Sequence, residues 1–275
     1  MKQFGYVNGQ MVKISEPQVK LNDLALLRGY AVFDFVKVIK GKPLFWPEHL
    51  ARFRRSAKRL GLAIPKTDAQ ITLAAKSLIK KNNFTAGSLR LILTGGETAD
   101  GLTPSGKTVF AILAEDSYTL PEPVFKTGGK LITVDYERLF PSAKTTNYLL
   151  AVSLLKKKLK AGAIEILYVK DNHVFEASTS NFFLVFGNKI VTPKDGVLPG
   201  ITRAKVIGLA KKLGYKVEER KIKVNEIKRA SEAFLTATNK DVAPIINIDG
   251  QKIGNGKVGE VTKSLLKKYR KLINS

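Results

Sequence analysis

The chain has 275 residues, 44% of them hydrophobic, enough to bury a real core as one large domain or two modest ones. It carries 47 basic and 23 acidic residues, a formal net charge of +24, and no cysteine, which excludes disulfides and thiolate zinc sites and fits a cytoplasmic protein. With His49 and His173 as its only histidines no metal site is expected, no window of about 18 apolar residues marks a transmembrane helix, and Met1-Lys2-Gln3-Phe4-Gly5 lacks the apolar stretch of a secretory signal.

In chain order, Phe4 to Ile14 reads as a hairpin around Asn8-Gly9. Tyr30 to Val38 is rich in β-branched and aromatic residues, and Lys40-Gly41-Lys42 turns it into Pro43-Leu44-Phe45. Pro47 opens a helix with Leu50, Phe53, Ala57 and Leu60 on one face, and Gly61 stops it. A second helix spans about Thr67 to Lys81. Leu89–Thr94 and Thr108–Ala114 are strands joined by a long loop, Gly95 to Pro104, of a length that is often functional. Pro121, Pro123, Gly128 and Gly129 then cluster without helical or strand period and read as a linker.

The second half opens with a strand at Leu131–Tyr136 and a helix from about Thr146 to Leu159. Strands follow at Ile164–Lys170, His173–Glu176, Phe182–Val185 and Lys189–Thr192, then a helix from Ile201 to Leu213. Strand Lys216–Arg220, a short helix near Val224–Ala230, strand Glu232–Thr236, a strand pair around Asp249-Gly250 and a basic helix, Val258 to Ile273, complete the chain. Helices and strands mix without strict βαβ alternation, which predicts an α+β or mixed-sheet fold. The lysine runs at 156–158, 211–212 and 267–268 lie on helices with an apolar face and read as solvated surfaces. No nucleic-acid-binding motif accompanies them, so nucleic acid is not an expected partner; a general attraction to anionic metabolites is.

Three local features could carry chemistry. Pro199-Gly200-Ile201-Thr202-Arg203 enters a helix, where backbone N–H groups bind anions and glycine allows close approach; the plain alternative is a first turn after a hinge. Lys144, in Ala143-Lys144-Thr145-Thr146-Asn147-Tyr148, lies outside the lysine runs in a small polar turn, the sheltered setting an amine nucleophile needs, although composition alone does not separate it from a surface lysine. Glu176-Ala177-Ser178-Thr179-Ser180-Asn181 places a carboxylate at a strand end, either aimed at a ligand or in a polar turn.

Read together, these segments resemble the class IV aminotransferases, the fold-type IV pyridoxal-phosphate enzymes. The matching stretches also include Arg28-Gly29-Tyr30 with Phe33-Asp34, His49-Leu50-Ala51-Arg52, Thr192-Pro193, Leu198 to Arg203, Ala233-Phe234-Leu235-Thr236, and Asp249-Gly250 with Gly254 and Gly259, in the family's order over nearly the whole chain. The resemblance implies pyridoxal 5'-phosphate as cofactor. Lys144 would carry it as a Schiff base and shuttle the substrate's Cα proton. Glu176 would face the pyridine nitrogen, Arg52 would clamp the phosphate, and Ile201, Thr202, Ala237 and Thr238 would line the phosphate cup, with alanine at 237 where relatives often carry glycine. Tyr148 would lie near the 3' oxygen.

The resemblance further implies a two-domain α+β fold: a smaller N-terminal α/β domain over 1–117, a linker over 118–127 and a larger mixed α/β cofactor-binding domain over 128–275, with the cofactor between them. It implies a homodimer acting on an amino acid and a 2-oxo acid, without a membrane. Arg28-Gly29-Tyr30 leading into Phe33-Asp34-Phe35, and the compact length, resemble D-amino acid transaminases, with branched-chain L-amino acid aminotransferases as the alternative. The 95–104 loop carries no arginine or histidine, so Arg28 (from the neighbouring subunit) and Arg90 are the candidates for the substrate carboxylate; a subunit-interface salt bridge and a strand-edge charge are their ordinary readings. An aminodeoxychorismate lyase shares the cofactor motifs, and a non-catalytic basic binding protein is the reading from another class.

Overall fold

The computed structural model describes residues 2–16, 19–116 and 118–274. The first and last residues of the expected N-terminal domain, 1 and 117, lie outside that set. The chain divides into two units, one of Met1–Tyr118 with Ser142–Asn147, the other of Thr119–Pro141 with Tyr148–Ser275.

The first unit starts with strands β1 (Phe4–Val7) and β2 (Gln10–Lys13), closed at Asn8 and Gly9, both at positive φ, as the Asn-Gly signal requires. Helix α1 (Leu24–Arg28) has no counterpart in the sequence reading. It is too short for a periodic stripe and exists through its caps: the Asp23 carboxylate accepts the Ala25 N–H, and Gly29 closes it in the left-handed region. Then come β3 (Ala31–Ile39), the two-residue β4 (Lys42–Pro43), α2 (Trp46–Arg59), α3 (Asp68–Lys81), β5 (Ala86–Thr94) and β6 (Phe110–Glu115). Thr67 and Gln70 cap α3 reciprocally. The sheet order is β2-β1-β6-β5-β3-β4, antiparallel throughout, and β3 pairs with β5 over nine residues. Val32, Val36 and Val38 of β3 join Leu50, Phe53, Ala57, Ile71 and Leu78 of the two helices in one core. Each of the larger side chains contributes about 1.5–3 kcal/mol by leaving water.

The second unit begins with α4 (Glu122–Thr127), in the segment expected to be a featureless linker. Pro121 and Gly128 are its caps, and Phe125 is buried in the core, so the Pro/Gly cluster marks helix ends. Next are β7 (Gly129–Asp135), α5 (Leu149–Ser153), α6 (Leu155–Lys160), β8 (Glu165–Lys170), β9 (His173–Ala177), β10 (Asn181–Phe186) and β11 (Lys189–Thr192). The expected single helix over 146–159 is broken at Leu154 and starts later, because Thr145 bridges Val32 and the Thr146 N–H bonds to Ala31 O in the first unit's own strand pairing. After α7 (Ile201–Lys212) come β12 (Lys216–Glu219), β13 (Ile222–Lys223), a 3-10 helix at Val224–Arg229, β14 (Glu232–Ala237), β15 (Asp241–Ile248), β16 (Gln251–Lys252) and α8 (Glu260–Asn274).

The second sheet runs β12-β11-β10-β14-β15-β7-β8-β9-β13, with β16 beside β15. It mixes parallel pairs, such as β7 with β8, and antiparallel ones, such as β10 with β14, which makes the fold α+β as expected. Thr262, Leu265, Tyr269 and Ile273 form the buried stripe of α8 at helical spacing. Among the described residues no helix is long and apolar enough to cross a membrane.

Candidate active site

In the first unit, strand alternation on β3 divides its residues between two faces. Asp34 falls on the core face and is fully buried. Its carboxylate accepts Arg52 Nε–H at 2.8 Å and Nη2–H at 2.8 Å, and lies 2.6 Å from His49 Nδ1. Burial alone would raise this carboxyl; the Arg52 charge and the hydrogen bonds from Arg52 and His49 outweigh it and hold it well below the usual range. Burial lowers His49 despite its acidic partner. An ionised carboxylate only accepts, so the neutral imidazole carries its proton on Nδ1. Two of the three guanidinium nitrogens of Arg52 are therefore engaged by Asp34, and the expected phosphate clamp is left Nη1.

Phe33 and Phe35 belong to the other face. The half-buried Lys144 is pinned beside them by its backbone: its N–H donates to Ser56 Oγ at 3.0 Å and its carbonyl accepts Phe33 N–H at 2.9 Å. Its Nζ lies 4.5 Å from the centroid of the Phe33 ring. The Arg90 guanidinium lies over the same ring at 5.3 Å and over Phe35 at 5.1 Å. Its fork is bidentate on Glu115, at 2.9 Å for both bonds, so Arg90 is already matched to a carboxylate of its own chain. Arg28 is exposed at the end of α1 and donates to Leu27 O. With Leu24, Tyr30, Leu102 and Pro104 it lines a cavity of about 270 Å³. The 95–104 loop is internally braced: the Asp100 carboxylate accepts Leu102 N–H, Thr103 N–H and the Thr98 and Thr103 hydroxyls.

In the second unit Glu176 is buried near the end of β9. Its Oε1 accepts Arg138 Nε–H at 2.7 Å, and its Oε2 accepts Asn181 Nδ2–H at 3.0 Å and Leu198 N–H at 2.9 Å. Arg138 also donates to Ser178 O at 2.5 Å and lies over the Tyr148 and Tyr168 rings at 5.1 and 5.3 Å. Burial pushes the Tyr148 phenol up; nearby Arg138 opposes the shift, and Glu176 and Glu165 add to it. The sequence reading singled out Glu176 and Tyr148 as candidates and did not include Arg138. Arg138 lies in a loop with no motif of its own, and only the fold brings it to Glu176, 38 residues away.

Gly200 caps α7 without any side-chain cap, and Ile201 and Thr202 in its first turn are buried. Backbone N–H groups at a helix start without a side-chain cap can receive an anion. A Cβ at Gly200 would lie 2.0 Å from Asn181 Oδ1, so only glycine brings this backbone so close. Thr236 Oγ1 on β14 is buried without a hydrogen-bond partner. Ala237 and Thr238 follow, half-buried, at the turn into β15. Within the second unit, a helix start without a side-chain cap and a buried carboxylate suit a phosphate and a ring nitrogen; within the first, the Lys144 amine over an aromatic ring suits an aldehyde, and each fits a part of pyridoxal 5'-phosphate.

The family model described as amino-transferase class IV matches residues 31–248. A Methanocaldococcus jannaschii protein, named provisionally as a branched-chain-amino-acid aminotransferase, is 33% identical over 96% of this chain and 94% of its own length. The D-alanine aminotransferase of Bacillus licheniformis is 31% identical over 94% of this chain and 93% of its own. A solved structure of a branched-chain amino acid aminotransferase from T.th. with pyridoxamine 5'-phosphate superposes with a TM-score of 0.91 at 28% identity, covering 99% of this chain and 94% of that one.

Proposed function

From its membership of the class IV aminotransferases, the family to which this chain belongs, we propose that it transfers an amino group from a D-amino acid to a 2-oxo acid. The chain is a pyridoxal-phosphate-dependent aminotransferase; the stereochemistry of its donor is the proposal. The observation that carries the assignment of roles is Lys144, held by backbone bonds in the family's lysine segment with its amine over Phe33. When bound, the cofactor would supply an electron sink to the substrate's Cα.

Lys144 would hold the cofactor covalently and move the Cα proton. Glu176 would face the ring nitrogen, and Arg138, Asn181 and Leu198 orient its carboxylate. The first turn of α7, Ile201 and Thr202, with Ala237 and Thr238, receives the phosphate. Arg52 adds Nη1 to the phosphate, its plane fixed by Asp34. Tyr148 donates near the 3' oxygen. Arg28 holds the substrate carboxylate, supplied by the second copy in a homodimer. Leu149, Val152, Leu155 and Leu159, exposed on α5 and α6, support an assembly that covers them. Arg90, bidentate on Glu115, falls to the weaker place it held from sequence.

D-alanine aminotransferases among the near-full-length relatives support the D-amino acid reading. A second reading, a branched-chain L-amino acid aminotransferase, is favoured by Phe33, an aromatic surface beside Lys144 that suits an aliphatic side chain, and by the solved structures that share the fold. The cofactor-loaded protein is mixed separately with D-alanine, D-glutamate, L-leucine and L-glutamate, and conversion to the pyridoxamine form is followed by absorbance. Conversion by D-alanine and D-glutamate is expected. Conversion by the L-amino acids alone would replace the first reading with the second. Borohydride reduction followed by peptide mapping should place the cofactor on Lys144, and Lys144→Ala should lose the linkage and nearly all turnover.

A further inference from the structure

The second unit buries an ion pair that the roles above do not use. Glu165 on β8 is 2% exposed, and Lys240, in the turn just before β15, is 7% exposed in its side chain; the two meet at 2.7 Å. Glu165 also accepts the Ser178 hydroxyl at 2.6 Å, Thr179 N–H at 2.9 Å, the Ser180 hydroxyl at 2.8 Å and the Thr179 hydroxyl. Lys240 donates in turn to Thr179 Oγ1 at 2.7 Å. Every residue of the turn between β9 and β10 is thus tied to one carboxylate. Glu176 lies just before that turn and Asn181 just after it.

Lys240 closes the other turn. Its N–H bonds to Ala237 O, and residues 238–240 link β14 to β15. Its ammonium therefore connects the turn that carries Thr238 to the turn behind Glu176. The charge network holds Glu165 down to about 2 against the effect of burial.

A buried ion pair is a poor device for stability, because desolvation offsets most of the attraction. It is a good device for geometry, because an unpaired charge at either end is costly and one register alone satisfies both. We infer that Glu165 and Lys240 are positioning residues for the cofactor, fixing the Thr238 turn and the Glu176 turn in one frame. This rests on the roles proposed above for Glu176 and Thr238.

The test uses cofactor-free full-length protein titrated with pyridoxal 5'-phosphate, followed by absorbance, beside thermal melting. The double variant Glu165→Gln/Lys240→Met removes both charges together. It is expected to melt within a few degrees of wild type and to bind the cofactor at least about tenfold more weakly, with the KM for the amino donor unchanged. Thr179→Val removes the hydroxyl between the two charges from an exposed residue without unpairing either, and should weaken cofactor binding about threefold. It decides the matter if the double variant does not fold. Cofactor affinity within twofold of wild type in the variants that fold overturns the inference. If wild-type protein takes up no cofactor, the functional reading and this inference fall together; wild-type uptake with unaltered variants sinks this inference alone.

Discussion

Replacing Arg138 by methionine tests whether the Glu176 carboxylate depends on its buried counter-charge. Methionine keeps the unbranched stem of the side chain as far as the Nε position and removes every donor. The Arg138 side chain is 14% exposed and that of Glu176 4%, so water restores little of the lost interaction. Loss of a charge-assisted hydrogen bond costs about 1.5–3 kcal/mol. Leaving a buried carboxylate without its partner brings the cost to about 3–5 kcal/mol. Asn181 and Leu198 still donate to Oε2, which places the expectation at the lower end, about 3 kcal/mol. Urea unfolding of the cofactor-free protein should be followed by circular dichroism, because the single tryptophan, Trp46, belongs to the first unit. In a Glu176→Gln background the same change meets no buried charge and should cost about 1 kcal/mol, a coupling of about 2 kcal/mol. Additive losses, within about 0.5 kcal/mol, would show that Arg138 acts through its packing on Tyr148 and Tyr168 and would refute the argument.

Stability should fall as the medium is acidified. Glu165 and Asp34 are both depressed, so each contributes in full above its ordinary carboxylate value and loses that contribution as pH falls through its folded value. For Glu165, held at about 2 against an ordinary 4.5, the contribution is on the order of 3 kcal/mol. Denaturant midpoints measured from pH 5 down to 2 should decline steeply, and less so in Glu165→Gln; equal slopes in the two proteins would count against the pairing. Gly200→Ala should displace Asn181 from Glu176, because the new methyl would lie 2.0 Å from Asn181 Oδ1. Pyridoxal 5'-phosphate affinity, measured by titration, should drop at least about tenfold while circular dichroism stays unchanged, on the principle that an anion held by helix-start N–H groups needs its close approach.

Much of the molecule is decided locally, and local decisions are legible in the sequence. The Asn8-Gly9 hairpin, the Pro47 helix with Leu50, Phe53 and Ala57 on one face, and the strand alternation around Phe33 follow from backbone preference and hydrophobic period within a dozen residues. Lys144, Glu176 and the Gly200-Ile201-Thr202 helix start stand out as candidates because they belong to short segments whose pattern resembles a family. Where a segment's structure depended on caps, the pattern failed: α1 and α4 are held by Asp23, Gly29, Pro121 and Gly128 and carry too few residues for a period. The helix expected from Thr146 begins later because Thr145 and Thr146 are claimed by strand partners more than a hundred residues away.

Tertiary structure alone decided how the charges are shared. The family resemblance implies Arg52 as a phosphate ligand, and in the fold Asp34 takes two of its nitrogens from 18 residues away. Arg90 and Glu115 neutralise each other across neighbouring strands. Arg138 reaches Glu176, and Lys240 reaches Glu165, across 38 and 75 residues (240 minus 165). A chain with 47 basic residues offers many possible partners for each carboxylate. Hydrogen-bond reach and desolvation choose among them, and both are properties of the folded interior.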